Sequence, residues 1–368
     1  MRIRCRRGDE RGDHVVTADA PAGRDAPAPQ LGPYGVVFSG GGALGAWEVG
    51  CLERLVAEFG GAYPAVVTGA SAGAINAAGV AMGMTTADLR LAWAEMRPED
   101  VYRPNPRDNS WRRIIAHLAL DLFARRKIVD SVLRAVRGLR SVFDVTPLDA
   151  TFDRLLARRW DVFTRFGGKL AIGVTSLATN AGKYYYAPAL AVAPSARWVP
   201  IVNFGMLKDA LLASAAIPIA FEPRNDEVDG GVLHNQPLAA ADHLLSPGMP
   251  IYVLVPQVDR LPQALDLAAL PGRLLSTWMS QGFKYELSRL AVRNIAAVPL
   301  GLEARPVCLV RAGIDLESLG SGLLKFGASV DTIIERGRKD AGNALAAFRA
   351  DDESTWPVEM RSAPAAYP

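Results

Sequence analysis

The segment AVVTGASAGAINAAG, residues 65–79, restricts the fold more than any other stretch of the chain. An apolar, β-branched run passes into an alanine-rich helical run through five small residues, so the backbone turns sharply from strand to helix. A side chain two positions before or after the apex of such a corner would collide with neighbouring backbone. Gly69 and Gly73 remove that collision, and Ala70 and Ala72 keep the flanks low. Ser71 then occupies a strained apex at the mouth of the sheet, beside a helix N-terminus, with its hydroxyl presented outward. In this context G-x-S-x-G reads as a nucleophile corner. The other reading is a plain tight turn whose serine caps the helix.

The preceding unit repeats the plan. In YGVVFSGGGALGAWEVGCLERLVAEFG (34–60), an apolar run at 35–38 leads through glycines into a helical pattern with Leu44, Trp47, Leu52, Leu55 and Val56 apolar. Two successive strand–turn–helix units favour an α/β fold with a mostly parallel central sheet flanked by helices. Further strands are expected at 169–178 and 183–189, joined by a hairpin around 180–182, and at 250–256 and 305–313. Helices are expected at 88–96, 111–124, 128–136, 207–214, 274–292 and 329–348. The organisation read from this is a disordered tail (1–31), a catalytic domain (32–245), a C-terminal part that completes the α/β domain (246–350) and a flexible end (351–368). KYYYAP (183–188) reads as strand surface rather than a lipid groove.

Composition removes several function classes. A net charge of +3 on 368 residues gives nucleic acid no general attraction. Cys5, Cys51 and Cys308 show neither metal-ligand spacing nor a disulfide framework, and no His/Cys/Asp cluster offers a metal site, so neither metal nor cofactor is expected. The basic N-terminus lacks the apolar segment of a secretory signal, and no run approaches the length of a membrane span. A cytoplasmic protein, with peripheral membrane contact as its other setting, is the expectation.

SGGGALG (39–45) admits two readings. Gly40, Gly42 and Gly45 fit the G-x-G-x-x-G dinucleotide fingerprint, which requires an acidic residue about 20 positions on. Thr68, Gly69, Ala70 and Ser71 stand there instead, and none is acidic. The alternative is an anion nest: consecutive glycines before a helix leave backbone N–H groups uncovered, suited to the oxyanion of a tetrahedral acyl intermediate. Adjacent parallel strands would set this loop beside Ser71.

A serine nucleophile needs a proton acceptor. His14 lies in the tail and His117 on an expected surface helix, whereas His234 and His243 fall in NDEVDGGVLHNQPLAAADHLL. The same segment carries Asp229-Gly230-Gly231 after a short strand. A carboxylate at a strand end, followed by glycines that permit close backbone approach, suits a buried base. A simple Asp-Gly turn is the alternative.

Several ordered pieces together resemble the patatin-like phospholipases. GGGALG is similar to their glycine-rich loop and GASAG to their nucleophile elbow. VFDVTPLDATFDRLL (142–156), ASAAIPIAFEP (213–223) and DGGVLHNQP (229–237) follow in matching order. The resemblance implies a serine acyl hydrolase, of phospholipase A or lysophospholipase type, working through a Ser–Asp dyad and an acyl-enzyme on a lipid or acyl-ester substrate. Ser71 would be nucleophile and Asp229 proton acceptor. The oxyanion would be bound at Gly40, Gly41 and Gly42, through the amides of Gly41 and Gly42 with Gly40 shaping the turn. Gly45, Gly69, Gly73, Gly230 and Gly231 would support the motifs, and His234 remains an alternative base. Many members of the family carry Arg or Lys where Leu44 stands. An acyl-carrier type of acyltransferase and a non-catalytic lipid-binding module are the competing functions.

Between 103 and 140 ten Arg/Lys face three Asp, interleaved with Trp111, Ile114, Ile115, Leu118, Leu122, Phe123, Val132 and Leu133. Two readings stand: a solvated helix pair packed on the domain, or a cover over the site that leans on an anionic lipid surface.

Overall fold

The computed structural model describes residues 30–105, 141–189, 191–218, 220–257, 270–316 and 330–349. The helices expected at 111–124 and 128–136, with His117, and the two ends of the chain, with His14, lie outside the described residues. The strands are β1 (Leu31–Phe38), β2 (Tyr63–Ala70), β3 (Arg103–Pro104), β4 (Phe143–Asp144), β5 (Lys169–Ser176), β6 (Ala181–Ala187), β7 (Trp198–Pro200), β8 (Glu227–Asp229), β9 (Ile251–Val255) and β10 (Val307–Arg311). The helices are α1 (Gly45–Glu58), α2 (Ala72–Ala81), α3 (Thr86–Glu95), α4 (Pro98–Val101), α5 (Thr146–Leu156), α6 (Trp160–Thr164), α7 (Phe204–Ser214), α8 (Gly231–His234), α9 (Leu238–Leu244), α10 (Leu270–Ala297) and α11 (Val330–Arg349).

One mixed sheet runs β10-β9-β1-β2-β5-β6-β7, with β8 also paired to β5. Its central contacts are parallel: β10 with β9, β9 with β1, β1 with β2, and β2 with β5. The hairpin from β5 to β6 and the β8 pairing are antiparallel. Successive side chains of a strand face opposite ways. Val36 and Phe38 therefore join Trp47 and Leu52 on one face, while Val37 joins Leu238, Leu244 and Val253 on the other. Both faces are covered, as a parallel sheet requires.

The KYYYAP strand departs from expectation. Tyr184 and Tyr186 are 1% and 0% exposed and Tyr185 is 9% exposed, so the strand is interior to the molecule rather than surface. Tyr184 and Tyr186 pack in one core cluster and Tyr185 in the other, each face finding helices that a local reading of the strand does not reveal.

The feature that positions the site is a handover along β5. Gly173 is the last β5 residue paired with β2, opposite Ala70; the next residue, Val174, is paired with Asp229 of β8. Two strands that approach from opposite directions thus end head to head against the same neighbour. Each must leave the sheet there, β2 through the corner at Ser71 and β8 through Gly230. A Cβ on Gly230 would lie 2.2 Å from the Gly173 carbonyl oxygen and 3.1 Å from the Ala70 Cβ, so the close meeting needs glycine.

The far end of the chain is fastened to α1. Trp47 Nε1 donates to Asp340 Oδ2 of α11 at 3.0 Å, and the same carboxylate accepts from the Gly313 amide (3.2 Å) beyond β10 and from Arg336 Nε (2.9 Å to Oδ1). Asp340 is 5% exposed, so each lost donor leaves charge less compensated. Trp47→Phe is expected to destabilise the fold by about 2 kcal/mol or more, through the missing donor and the smaller ring. Urea denaturation followed by fluorescence or circular dichroism measures it.

Candidate active site

The backbone at Ser71 takes a positive φ, which is unusual for a residue other than glycine. Ser71 has φ 53° and ψ −129°, a conformation an L side chain seldom adopts and one that stores about 1–3 kcal/mol of strain. Its side chain makes no capping bond to α2, which removes the reading of a serine that merely caps a helix. The strain is held by neighbours. The Ser71 N–H donates to Ser214 Oγ at 2.9 Å, and Ser214 Oγ donates to the Gly173 carbonyl at 2.7 Å. A Cβ on Gly69 would stand 2.2 Å from the Gly73 carbonyl oxygen, and one on Gly73 2.5 Å from that of Phe38. Gly45 opens α1, where a Cβ would meet the Trp93 ring at 2.5 Å.

Asp229 lies beside this corner, 2% exposed. Its Oδ1 accepts from the Gly231 amide at 2.6 Å, and its Oδ2 has no hydrogen-bond partner among the described residues. Burial pushes its pKa up to about 7, against opposing pulls from the Ser71 hydroxyl and the Gly231 N–H. Ser71 is thus close enough to influence the carboxyl, although no bond of normal geometry joins the two. The histidine alternative separates spatially. His234 Nδ1 lies 2.5 Å from Glu286 Oε1 of α10, its ring packs over Gly182 of β6, and it forms no hydrogen bond to Ser71. His243 packs against Trp198.

The glycine loop leaves β1 at the same end of the sheet. Gly40 donates its N–H to the Asn235 carbonyl at 3.1 Å, so that donor is already used. The N–H groups of Gly41 and Gly42 have no partner among the described residues, and Gly42 (φ 58°) lines a pocket together with Ser71. Apart from Asn76 and Thr151 the rest of that pocket is apolar, walled by Ile75, Met84, Leu89, Trp93, Phe152 and Leu156 among others. Ser71 therefore borders a greasy recess.

Sequence reasoning missed the shell that holds this loop. Glu48 is fully buried on α1; it accepts from the Ser39 N–H at 2.5 Å and from Asn76 Nδ2 at 3.0 Å. Asn76 also donates to the Gly45 carbonyl (2.9 Å) and accepts from Trp93 Nε1 (2.8 Å). Burial raises the Glu48 pKa well above the usual carboxylate range. In sequence Glu48 looks like an ordinary charge on an amphipathic helix, and only its neighbours mark it. Gln257, after β9, was equally unmarked.

Residues 36–242 match the sequence model of the patatin-like phospholipases. The chain belongs to the patatin-like phospholipase family. Membership implies a lipid acyl hydrolase. The matched span contains Ser71, Asp229 and the glycine loop. No functionally curated protein matches the chain. Among solved structures the chain is similar to VipD from Legionella pneumophila, with 12% identity, a TM-score of 0.36, and coverage of 88% of this chain and 68% of that one. It is also similar to the type III effector protein ExoU, with 15% identity, a TM-score of 0.36, and coverage of 87% and 54%. The ExoU–SpcU complex from the type III secretion system of Pseudomonas aeruginosa gives 16% identity and a TM-score of 0.34, covering 87% and 52%. The chain spans about half the length of ExoU.

Within this patatin-like framework Leu44 is 6% exposed and packs into the main core cluster, so apolar packing occupies the position of the usual cation. Among the described residues no helix is long and apolar enough to cross a membrane, and no cluster of His, Cys, Asp and Glu is arranged to hold a metal ion.

The raised Asp229 pKa carries a stability consequence. With a pKa of about 7 when folded and 3.8 otherwise, the carboxyl costs nothing by this route while both states are protonated, and its burial opposes folding increasingly as pH rises from about 4 to 7. Asp229→Asn is therefore expected to raise stability at about pH 8 by roughly 2–4 kcal/mol. The gain should shrink towards pH 4, which urea denaturation at several pH values measures.

Proposed function

We propose that the protein is a serine acyl hydrolase of phospholipase A or lysophospholipase type, with Ser71 as nucleophile and Asp229 as general base. The observation that carries this reading is the buried Asp229 carboxyl, free at Oδ2, beside a serine held at positive φ on the rim of an apolar pocket. Each part answers a chemical need. A serine hydroxyl is a weak nucleophile until its proton is taken, and a carboxylate with pKa near neutrality is far better matched to that task than one near 4. The strained corner fixes the hydroxyl without a competing cap bond.

In the proposed first half-reaction Ser71 Oγ bonds to the acyl carbon while its proton passes to Asp229. The carbonyl π pair moves to oxygen, where the free N–H groups of Gly41 and Gly42 meet the developing charge. Collapse breaks the ester C–O bond, and the departing alcohol takes the proton from Asp229. The acyl group, now esterified to Ser71, lies along Ile75, Leu89 and Trp93. In the second half-reaction water gives its proton to Asp229 as its oxygen attacks the acyl carbon. Collapse then returns the proton to Ser71 Oγ and frees the fatty acid.

Hydrolysis of p-nitrophenyl butyrate and of phospholipid vesicles by wild type, Ser71→Ala and Asp229→Asn tests the proposal. Both variants are expected to lose about 10³-fold or more in kcat. A fluorophosphonate should label wild type at Ser71. Either variant at wild-type turnover, or an unlabelled wild type, sinks the reading. An acceptor thiol or alcohol that diverts most of the product from free acid would favour a transferase.

The base must be ionised to act, so kcat/KM is expected to rise with pH through about 7 and level off above it. A pH profile on the butyrate ester measures this. A rate that falls across the same interval would assign the titration to another group.

A further inference from the structure

The oxyanion donors proposed above sit in a loop held at the Ser39 N–H by Glu48 and at the Gly40 N–H by Asn235, and the peptide plane that follows needs a grip of its own. Gly40 and Gly41 have no side chains to restrain their torsions, so the peptide between them rotates readily unless something grips it. That peptide matters because it is planar and trans: its carbonyl and its N–H point in opposite directions. The orientation of the Gly40 carbonyl therefore sets the orientation of the Gly41 N–H.

Two side chains hold that carbonyl. Gln257 Nε2 donates to the Gly40 oxygen at 2.5 Å, and Asn235 Nδ2 reaches it at 3.4 Å, near the limit of a hydrogen bond. Asn235 also grips the other side of Gly40, accepting its N–H at the backbone carbonyl. The sheet delivers Gln257 to this place. β9 lies parallel to β1 with Leu254 opposite Phe38, so the residues following β9 emerge beside the residues following β1. Gln257 is held close beneath the next residue as well, since a Cβ on Gly41 would lie 3.2 Å from its Nε2.

We propose that Gln257 is a positioning residue for the oxyanion site: by donating to the Gly40 carbonyl it aims the Gly41 N–H at the oxygen that becomes negative. The inference rests on the hydrolase reading above and assigns one further residue to it. Gln257 acts through a peptide plane and not on the substrate. Its loss leaves the apolar pocket intact, and with it ground-state binding of the ester. The donor is missed where charge develops, in the transition state. The effect therefore falls on kcat.

The test uses the full chain as wild type, Gln257→Met, Gln257→Glu and Gln257→Lys, with p-nitrophenyl butyrate and a fluorophosphonate as probes. Deleting an oxyanion donor costs roughly 10²–10³-fold, and mis-aiming one costs less. Gln257→Met keeps the shape and removes the donor. It is expected to lower kcat roughly 10–100-fold with KM within about twofold, and to slow Ser71 labelling by a similar factor. Gln257→Glu, which presents acceptors to a carbonyl, should be at least as slow. Gln257→Lys restores a donor and should recover most of the rate. Thermal melting of each variant identifies any that fails to fold, and the remaining variants then decide. Wild-type kcat in either Gln257→Met or Gln257→Glu overturns the inference, as does a loss confined to KM or a Lys variant no faster than Met. Those outcomes leave the hydrolase reading standing if wild type is labelled at Ser71. A wild type that is never labelled overturns both.

Discussion

Everything at the site depends on a change of partner along one strand. β5 pairs with β2 as far as Gly173 and with β8 from Val174 onward, so two chain segments coming from opposite directions terminate against each other. Backbone groups at such an ending lose their sheet partners and need others. Here the Ser71 N–H finds Ser214, and the Asp229 N–H finds the Ala216 carbonyl at 2.9 Å. The end of α7 and the residues just after it therefore serve both ends of the site. The resemblance to the family's Ala/Ser-rich segment at 213–223 gains a physical meaning from this: Ser214 and Ala216 complete the hydrogen bonding of a broken sheet.

The same arrangement concentrates what folding disfavours. A strained serine, a buried carboxyl with an acceptor that has no partner among the described residues and a glycine loop whose Gly41 and Gly42 N–H groups likewise have none among them lie within one small region. None of these features contributes to stability, and burial of Asp229 opposes it at neutral pH. The surroundings hold them in place. Trp93, Asn76 and Glu48 form a buried chain of hydrogen bonds from the pocket wall to the start of the glycine loop, and the core of α1, α2 and β1 closes over it. Under the hydrolase reading proposed above, this arrangement is electrostatic preorganisation: donors and an acceptor left unsatisfied inside a matrix that is otherwise well satisfied.

Much of the fold was legible because its signals are local. The runs at 169–178, 250–256 and 305–313 contain β5, β9 and β10, and the run at 35–38 covers the second half of β1; the reversal expected around 180–182 falls just before β6, which already includes Ala181 and Gly182. The expected helices at 88–96, 207–214, 274–292 and 329–348 overlap α3, α7, α10 and α11; α7 ends at Ser214 as expected, and the other ends are shifted. α3 begins at Thr86 because Thr85 and Asp88 form a reciprocal cap, a pattern visible in sequence but easily passed over. The short helix α9 and the three-residue strand β7 carry too few residues to show a period. The three tyrosines of β6 were misjudged as surface because burial on both faces is a property of what packs above and below a strand, not of the strand itself.

The sequence alone determined the kinds of chemistry available: a serine forced onto a glycine-walled corner, a glycine run before a helix, an aspartate at a strand end. Each is a short-range consequence of steric limits on the backbone, and so survives reading one residue at a time. The tertiary structure decided which of these meet. Only the β5 handover brings Asp229 rather than His234 to the serine, only burial lifts its pKa to about 7, and only the β9–β1 register carries Gln257 to the glycine loop. Proximity between distant segments and removal from water are properties of the assembled fold, and no local pattern encodes either of them.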